Sequence, residues 1–162
     1  MLRFCSLASG SSGNATLVEA FDGLHRTRVL IDCGLGLRQL HERLARAGIT
    51  AAELDAIFVT HEHGDHVGCA PALSARFGIP LWMSAGTHAA LPRRDPKLNV
   101  QFASDGQSVA LGGLRLQPFA VPHDTREPLQ LSCTDGDRRL GVLTDLGHVT
   151  GHVLEQLAGC HA

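Results

Sequence analysis

The sequence predicts an α/β fold in which helices cover a mixed β-sheet. Three observations carry that expectation. Short apolar runs alternate with segments whose leucines fall at helical spacing, the second half carries two hairpin signatures, and 162 residues suffice to bury a core. With 44% apolar and 19% charged residues, the composition is that of a soluble globular domain.

"LRFCSLA" (2–8) reads as a first strand, broken by "SGSSGN", and "ATLVEA" (15–20) resumes as a second. After the turn "FDG", "TRVLID" (27–32) is a third strand that stops at Asp32-Cys33-Gly34. Leu37, Leu40 and Leu44 share one helical face, and Gly48 suits the C-terminal cap. Thr50 with Glu53 forms a capping-box pattern, which starts a short helical turn at "TAAEL". "DAIFVT" (55–60) is a buried strand, "GCAPALSARFG" (68–78) a helix closed by Gly78, and "IPLWMS" (79–84) another strand. "NVQFAS", "QSVAL" and "LRLQPFAV" alternate apolar with polar, with Gly112-Gly113 as the turn between the last two. "LQLSCTD" and "RRLGVLTD" make a second hairpin around Asp135-Gly136-Asp137, and "TGHVLEQLAG" a closing helix.

Charge and cysteine usage narrow the setting. The formal net charge is −2, so no overall basic field announces a polyanionic partner; Arg93, Arg94 and Lys97 make one small basic turn. No stretch has the apolar length of a membrane span, and Met1 leads into a segment that reads as a strand and not as a signal sequence. Cys5, Cys33, Cys69, Cys133 and Cys160 are odd in number and form no CxxC pair, so a reducing cytoplasm is expected, with each thiol a small buried side chain.

The chemistry concentrates in "FVTHEHGDHVG", residues 58–68. His61 and His63 stand two apart, on one face of an extended segment; Asp65 and His66 follow where Gly64 lets the chain turn toward a helix. Imidazoles this close repel when protonated, and a divalent cation removes that repulsion, because neutral imidazole and carboxylate are good ligands for zinc and its neighbours. Four residues do not complete two coordination shells, so further ligands are expected at other strand ends. His123 in "QPFAVPHDT" and Asp145 in "LGVLTDLG" stand where apolar runs stop. His25 and His41 are expected to face solvent, His148 to lie at the surface, and His88, His152 and His161 to lack a partner at ligand spacing. One Trp and no Tyr give little support to a base-stacking platform.

"THEHGDH", "VPHD" and "TDLG", in that order, resemble the metallo-β-lactamase superfamily. The opening "SLASGSSGNATLVE" with "LIDCGL" and "FVTHEHGDHVG" is similar to its branch of bacterial YycJ/WalJ-type exonucleases, along essentially the whole chain. The resemblance implies an αββα sandwich with mixed sheets, formed by residues 1–162 as one domain. It implies two divalent metal ions, Zn²⁺ first and Mn²⁺ as the alternative. His61, His63 and His123 would hold one and Asp65 and His66 the other, with Asp145 bridging. Asp32 would orient the ligand-bearing loop. Two cations sharing a water bring its pKa to roughly 7 and stabilise both oxygens of an in-line displacement, which suits hydrolysis at phosphorus through a bridging hydroxide. Asp65 is also the candidate for proton transfer. Ser9, Ser11, Ser12 and Asn14 are candidate contacts to a nucleic-acid backbone, DNA ahead of RNA.

Two features depart from the family. "LQL" follows "VPHDTREP" where relatives place a glycine and an aromatic residue, and no "GHLS"-like segment supplies a further metal-binding histidine before "LAGCHA". The reading is therefore a C-terminally truncated domain of a DNA exonuclease. Its alternatives are hydrolysis of RNA, a cyclic phosphodiester, a thioester or a lactam, or an inactive metal-binding fragment.

Overall fold

The computed structural model describes residues 1–92 and 95–162, so Arg93 and Arg94 of the basic turn lie outside the described residues. Two sheets stack face to face. The first runs β1 (Leu2–Ala8), β2 (Ala15–Phe21), β3 (Arg26–Ile31), β4 (Ala56–Phe58), β5 (Leu81–Met83) and β6 (Val100–Phe102) in spatial order. β1, β2 and β3 pair antiparallel and β3 through β6 pair parallel, so the sheet is mixed.

Parallel neighbours need crossovers, and α1 (Leu37–Arg46), α3 (Ala70–Phe77) and α4 (Ala85–Ala90) supply them. The second sheet is antiparallel, in the order β10 (Arg139–Val142), β9 (Leu129–Thr134), β8 (Leu114–Ala120), β7 (Val109–Leu111).

Two cores explain the run of apolar residues in the first sheet. Leu17, Leu30 and Ile57 point one way, into a core shared with Leu40 and Leu44 of α1 and Leu73 of α3. Their neighbours Val18, Val29, Ile31 and Phe58 point the other way and meet Leu116, Leu131 and Cys133 of the second sheet. A strand buried on both faces cannot alternate apolar with polar, which is why "VLI" and "AIF" read as unbroken runs. α5 (Gly151–Leu157) lays Val153 over Phe119 and Val121 on the far side of the second sheet, completing the αββα layering.

Most expected elements are present. The hairpins turn at Gly112-Gly113 and at Asp135-Gly136-Asp137. Gly78 closes α3 in the left-handed conformation, and the Thr50/Glu53 capping box forms at a short 3₁₀ turn (Ala51–Glu53). The expected strand 55–60 is shorter. Thr60 leaves the ladder because its N–H turns to the Asp32 carboxylate. α4 has no counterpart in the expectations; Ser84, read as a strand end, caps it by accepting from the Thr87 N–H. His41 corrects the solvent-facing expectation: it is half-buried, its Nε2 atom is sealed from solvent and its ring stands edge-on to Phe77. Among the described residues, no helix is long and apolar enough to cross a membrane.

Candidate metal centre

Loops at one edge of the stacked sheets bring the singled-out residues together. β4 delivers His61 and His63 on the segment beyond its end, and the short helix α2 (Gly64–Val67) presents Asp65 and His66. The loop after β8 carries His123, and the loop after β10 carries Asp145. The close approach of β3's end to α2 depends on Gly34: a Cβ there would stand 1.6 Å from the Asp65 carbonyl oxygen. Only a glycine lets these backbones touch.

The donor atoms face one another. Asp145 Oδ2 lies 3.4 Å from His61 Nε2, 3.1 Å from His66 Nε2 and 3.5 Å from His123 Nε2, and His123 Nε2 lies 3.3 Å from His63 Nδ1. Ligand atoms about 2.0–2.2 Å from a tetrahedral metal stand about 3.3–3.6 Å from each other. The pairs Asp145–His61, Asp145–His123 and His123–His63 have that spacing, and one donor atom of each of the four residues lies within 4.8 Å of all the others. His61 Nε2 is buried and has no hydrogen-bond partner, as expected of a lone pair reserved for a cation. His66 Nε2, which also faces Asp145 Oδ2, lies 3.6 Å from Asp65 Oδ2, a looser donor group beside the first. The residues fit divalent metal binding.

The two buried rings are held from behind. His66 Nδ1 lies 2.7 Å from Asp32 Oδ2, and His61 Nδ1 lies 2.9 Å from Thr60 Oγ1. The Thr60 hydroxyl has one proton, which it donates to the Asp32 carboxylate 3.0 Å away, so its oxygen accepts from His61 Nδ1–H. Asp32 thus sets both tautomers, one directly and one through Thr60, and leaves each Nε2 lone pair facing the centre. Asp32 is the single non-glycine residue with positive φ among the described residues, at 59°. That conformation costs on the order of 1 kcal/mol, which these buried hydrogen bonds offset.

Charge sharpens the picture. Burial first, then repulsion from His66 and His123, pushes His61 down to about 3, so it is neutral at neutral pH. Burial also pulls His66 down. The hydrogen bond and charge of Asp32, with Asp145 and Asp65, outweigh that pull and hold His66 above its ordinary value. Asp32 is itself pushed up by burial, against the opposing pull of His66 and Thr60.

The glycine-serine loop lies beside this centre. Ser9, Ser11 and Ser12 are exposed, whereas Asn14 is buried. The Asn14 amide is spread over Gly10, the Asp65 carboxylate at 3.3 Å and His66 Nε2 at 3.1 Å. A cavity of about 190 Å³ lined by Ser9, Asn14, Asp32, Val142 and Thr144 adjoins it. His25 and His148 are exposed, and His152 pairs with Asp105 at 2.9 Å, away from the centre.

Three residues escaped the sequence reading. Thr60 is the relay just described. Glu62, between the first two histidines, accepts from the Arg126 N–H at 2.8 Å, and Glu127 accepts from the Gly86 N–H at 2.6 Å. Together these carboxylates fasten the His123 loop to the loop after β4 and to the start of α4. Their one sequence signal was position: acidic residues inside two apolar-bounded, histidine-bearing loops.

Two stacked sheets with a histidine/aspartate cluster at one loop edge define the class of metallo-β-lactamase-fold proteins. The metallo-β-lactamase-fold protein YhfI of Bacillus subtilis shares this architecture at a TM-score of 0.67 and 16% identity, over 86% of this chain and 60% of that one. A metallo-β-lactamase from Cronobacter sakazakii matches at a TM-score of 0.65 and 21% identity, over 90% of this chain and 67% of that one.

The chain belongs to the beta-lactamase superfamily domain family, whose model matches residues 27–162. It is similar to the exodeoxyribonuclease YycJ of Bacillus anthracis, 28% identical over 99% of this chain and 61% of that protein. It also resembles the exodeoxyribonuclease WalJ of Streptococcus pneumoniae, 29% identical over 97% of this chain and 57% of that protein. A ribonuclease Z from Bradyrhizobium diazoefficiens is 35% identical over 67% of this chain and 40% of that protein. The chain thus spans 57–61% of the length of the two exodeoxyribonucleases.

Proposed function

We propose that residues 1–162 form a metallo-β-lactamase domain that hydrolyses phosphodiester bonds at DNA ends with two divalent metal ions, Zn²⁺ first and Mn²⁺ as the alternative. One observation carries the reading: a single oxygen, Asp145 Oδ2, sits 3.1–3.5 Å from the Nε2 atoms of three histidines drawn from two distant segments. A lone carboxylate oxygen facing three imidazole lone pairs is repulsive unless protons or metal ions lie between them.

His61, His63 and His123 would hold one ion and Asp65 and His66 the other, with Asp145 available to both. When bound, such ions supply an activated water at neutral pH and positive charge for the leaving oxygen. The chain's own residues do the rest. Asp32 and Thr60 keep His66 and His61 in the ligating tautomer. Asn14 donates to Asp65 Oδ2 and steadies that carboxylate, and Asp65 is the candidate for proton transfer. Ser9, Ser11 and Ser12 offer hydroxyls on an exposed loop beside the centre, suited to phosphate oxygens. The names of the YycJ and WalJ relatives favour DNA, and that of ribonuclease Z favours RNA as the second reading. Five free thiols accord with a reducing cytoplasm.

The test uses the purified chain with Zn²⁺ or Mn²⁺ and end-labelled DNA and RNA, with bound metal counted in parallel. Progressive shortening of DNA by the parent, and loss of both cleavage and metal in His61→Ala, is the expected result. Untouched ends with unchanged metal content in His61→Ala overturn the reading. One tightly held ion without turnover identifies a metal-binding fragment instead.

A further inference from the structure

Behind the candidate centre, two cysteines from separate segments meet. Cys33 directly follows Asp32, and Cys69 lies just beyond α2, yet their Sγ atoms stand 3.3 Å apart in the core as free thiols. Their backbones are joined as well: Cys33 N–H donates to the His66 carbonyl at 2.8 Å, and Cys69 N–H donates to the Cys33 carbonyl at 3.0 Å. Adjacent backbones with facing sulfurs are the layout a disulfide requires, and a bond of about 2.05 Å needs the sulfurs to close by about 1.3 Å.

We propose that this dithiol is an oxidation site, which a hydroperoxide closes into a Cys33–Cys69 disulfide that pulls on the turn carrying His66. Cys69 is the entry point, because it is 9% exposed and Cys33 is fully buried. Its sulfur attacks one peroxide oxygen and the O–O bond breaks. The Cys69 thiol proton goes to the departing hydroxide, leaving water and a sulfenic acid on Cys69. The Cys33 sulfur then attacks the Cys69 sulfur. The S–O bond breaks and the Cys33 proton completes a second water. In sum, two thiols give two electrons to one hydrogen peroxide and yield one disulfide and two waters.

The surroundings leave little room to absorb the movement locally. A Cβ on Gly68 would stand 2.4 Å from the Cys33 carbonyl oxygen, and one on Gly34 would collide with the Asp65 carbonyl. A shift of the Cys33 or Cys69 backbone is therefore passed to the buried contact between Asp32 and His66, 2.7 Å long. The effect on metal binding rests on the proposed metal centre; the disulfide itself does not.

The experiment uses the full chain with Cys5→Ser and Cys160→Ser, which removes the two more accessible thiols. After hydrogen peroxide and alkylation, non-reducing peptide mass mapping should find the Cys33 and Cys69 peptides joined, about 2 Da lighter than their sum. Co²⁺ titration should show roughly tenfold weaker binding, restored by dithiothreitol. Cys69→Ser and, separately, Cys33→Ala should bind Co²⁺ like the parent before oxidation and form no cross-link at this site after peroxide; either variant alone suffices if the other fails to fold. Cysteines 33 and 69 that remain alkylatable, or a sulfinic acid on Cys69 without a cross-link, overturn the proposal. A cross-link with unchanged Co²⁺ affinity overturns the pull on His66. If the reduced parent binds no Co²⁺, the metal reading fails, and the mass map still decides the disulfide.

Discussion

The candidate centre has two unlike walls. His61 and His66 form a buried wall, both fully excluded from solvent and each hydrogen-bonded at Nδ1 to a buried partner. His63 and Asp145 form an open wall, each with a side chain 38% exposed, joined by His123. Behind the open wall stands Asp124, 84% exposed, which approaches His123 Nδ1 at 3.2 Å and His63 Nε2 at 4.0 Å. Exposed pairs of this kind contribute little, about 0–1 kcal/mol. The difference teaches that the protein preorganises half of the centre and leaves the other half to be ordered by whatever binds there. An accessible wall is also where substrate and solvent must enter.

The comparison is broken most severely at the atom both donor groups share. Asp145→Ala should weaken Co²⁺ binding by about 100-fold or more and abolish the proposed hydrolysis of DNA ends, because neither donor group keeps the common oxygen. Retention of both in a titration and a cleavage assay would remove Asp145 from the centre.

Asp32→Asn strikes the buried wall from behind. It keeps the shape but places an amide against His66 and removes the charge that sets both tautomers. Metal affinity should fall about 10- to 100-fold, and urea unfolding should lose about 1–3 kcal/mol. Thr60→Val cuts the relay to His61 alone. Binding should weaken about tenfold, with the effect concentrated at the position proposed for His61, His63 and His123. Equal effects of Thr60→Val on both positions would contradict the proposed division of the wall.

The smallest effect sharpens the contrast with a buried charge outside the centre. On β2, Glu19 accepts hydrogen bonds from Arg3 at 2.7 Å and Arg28 at 2.9 Å. Burial alone would raise its pKa, but those hydrogen bonds and charges outweigh burial and hold it below the ordinary 4.5. A depressed folded value means that the unfolded chain takes up the proton first. The contribution is therefore present above 4.5 and lost as pH falls through the folded value. Glu19→Gln should cost about 1 kcal/mol at neutral pH, with the gap from the parent shrinking as pH falls below 4.5 and through the folded value, and with metal affinity unchanged. A gap that persists in acid would show that packing, not charge, is what Glu19 contributes.

Much of the centre was legible because its chemistry is local in the chain. His61, His63, Asp65 and His66 fall within one short segment, and His123 and Asp145 stand where apolar strands stop, a position any α/β layering turns into an edge. The hairpins and the Gly78 cap were legible for the same reason: each needs only adjacent residues. Thr60, Glu62 and Glu127 were not, since an ordinary threonine or glutamate becomes a positioning group only when a distant partner reaches it. α4 was hidden because its six residues are too few to show helical periodicity.

Residue order alone determined the layered α/β class, the histidine cluster and the segments that would join it, because these follow from periodicity and donor chemistry. Only the tertiary structure decided that one oxygen of Asp145 faces three rings, that Asp32 sets two tautomers, and that Cys33 meets Cys69. Those are distances between residues far apart in the chain, and packing of the whole molecule, not local preference, sets them.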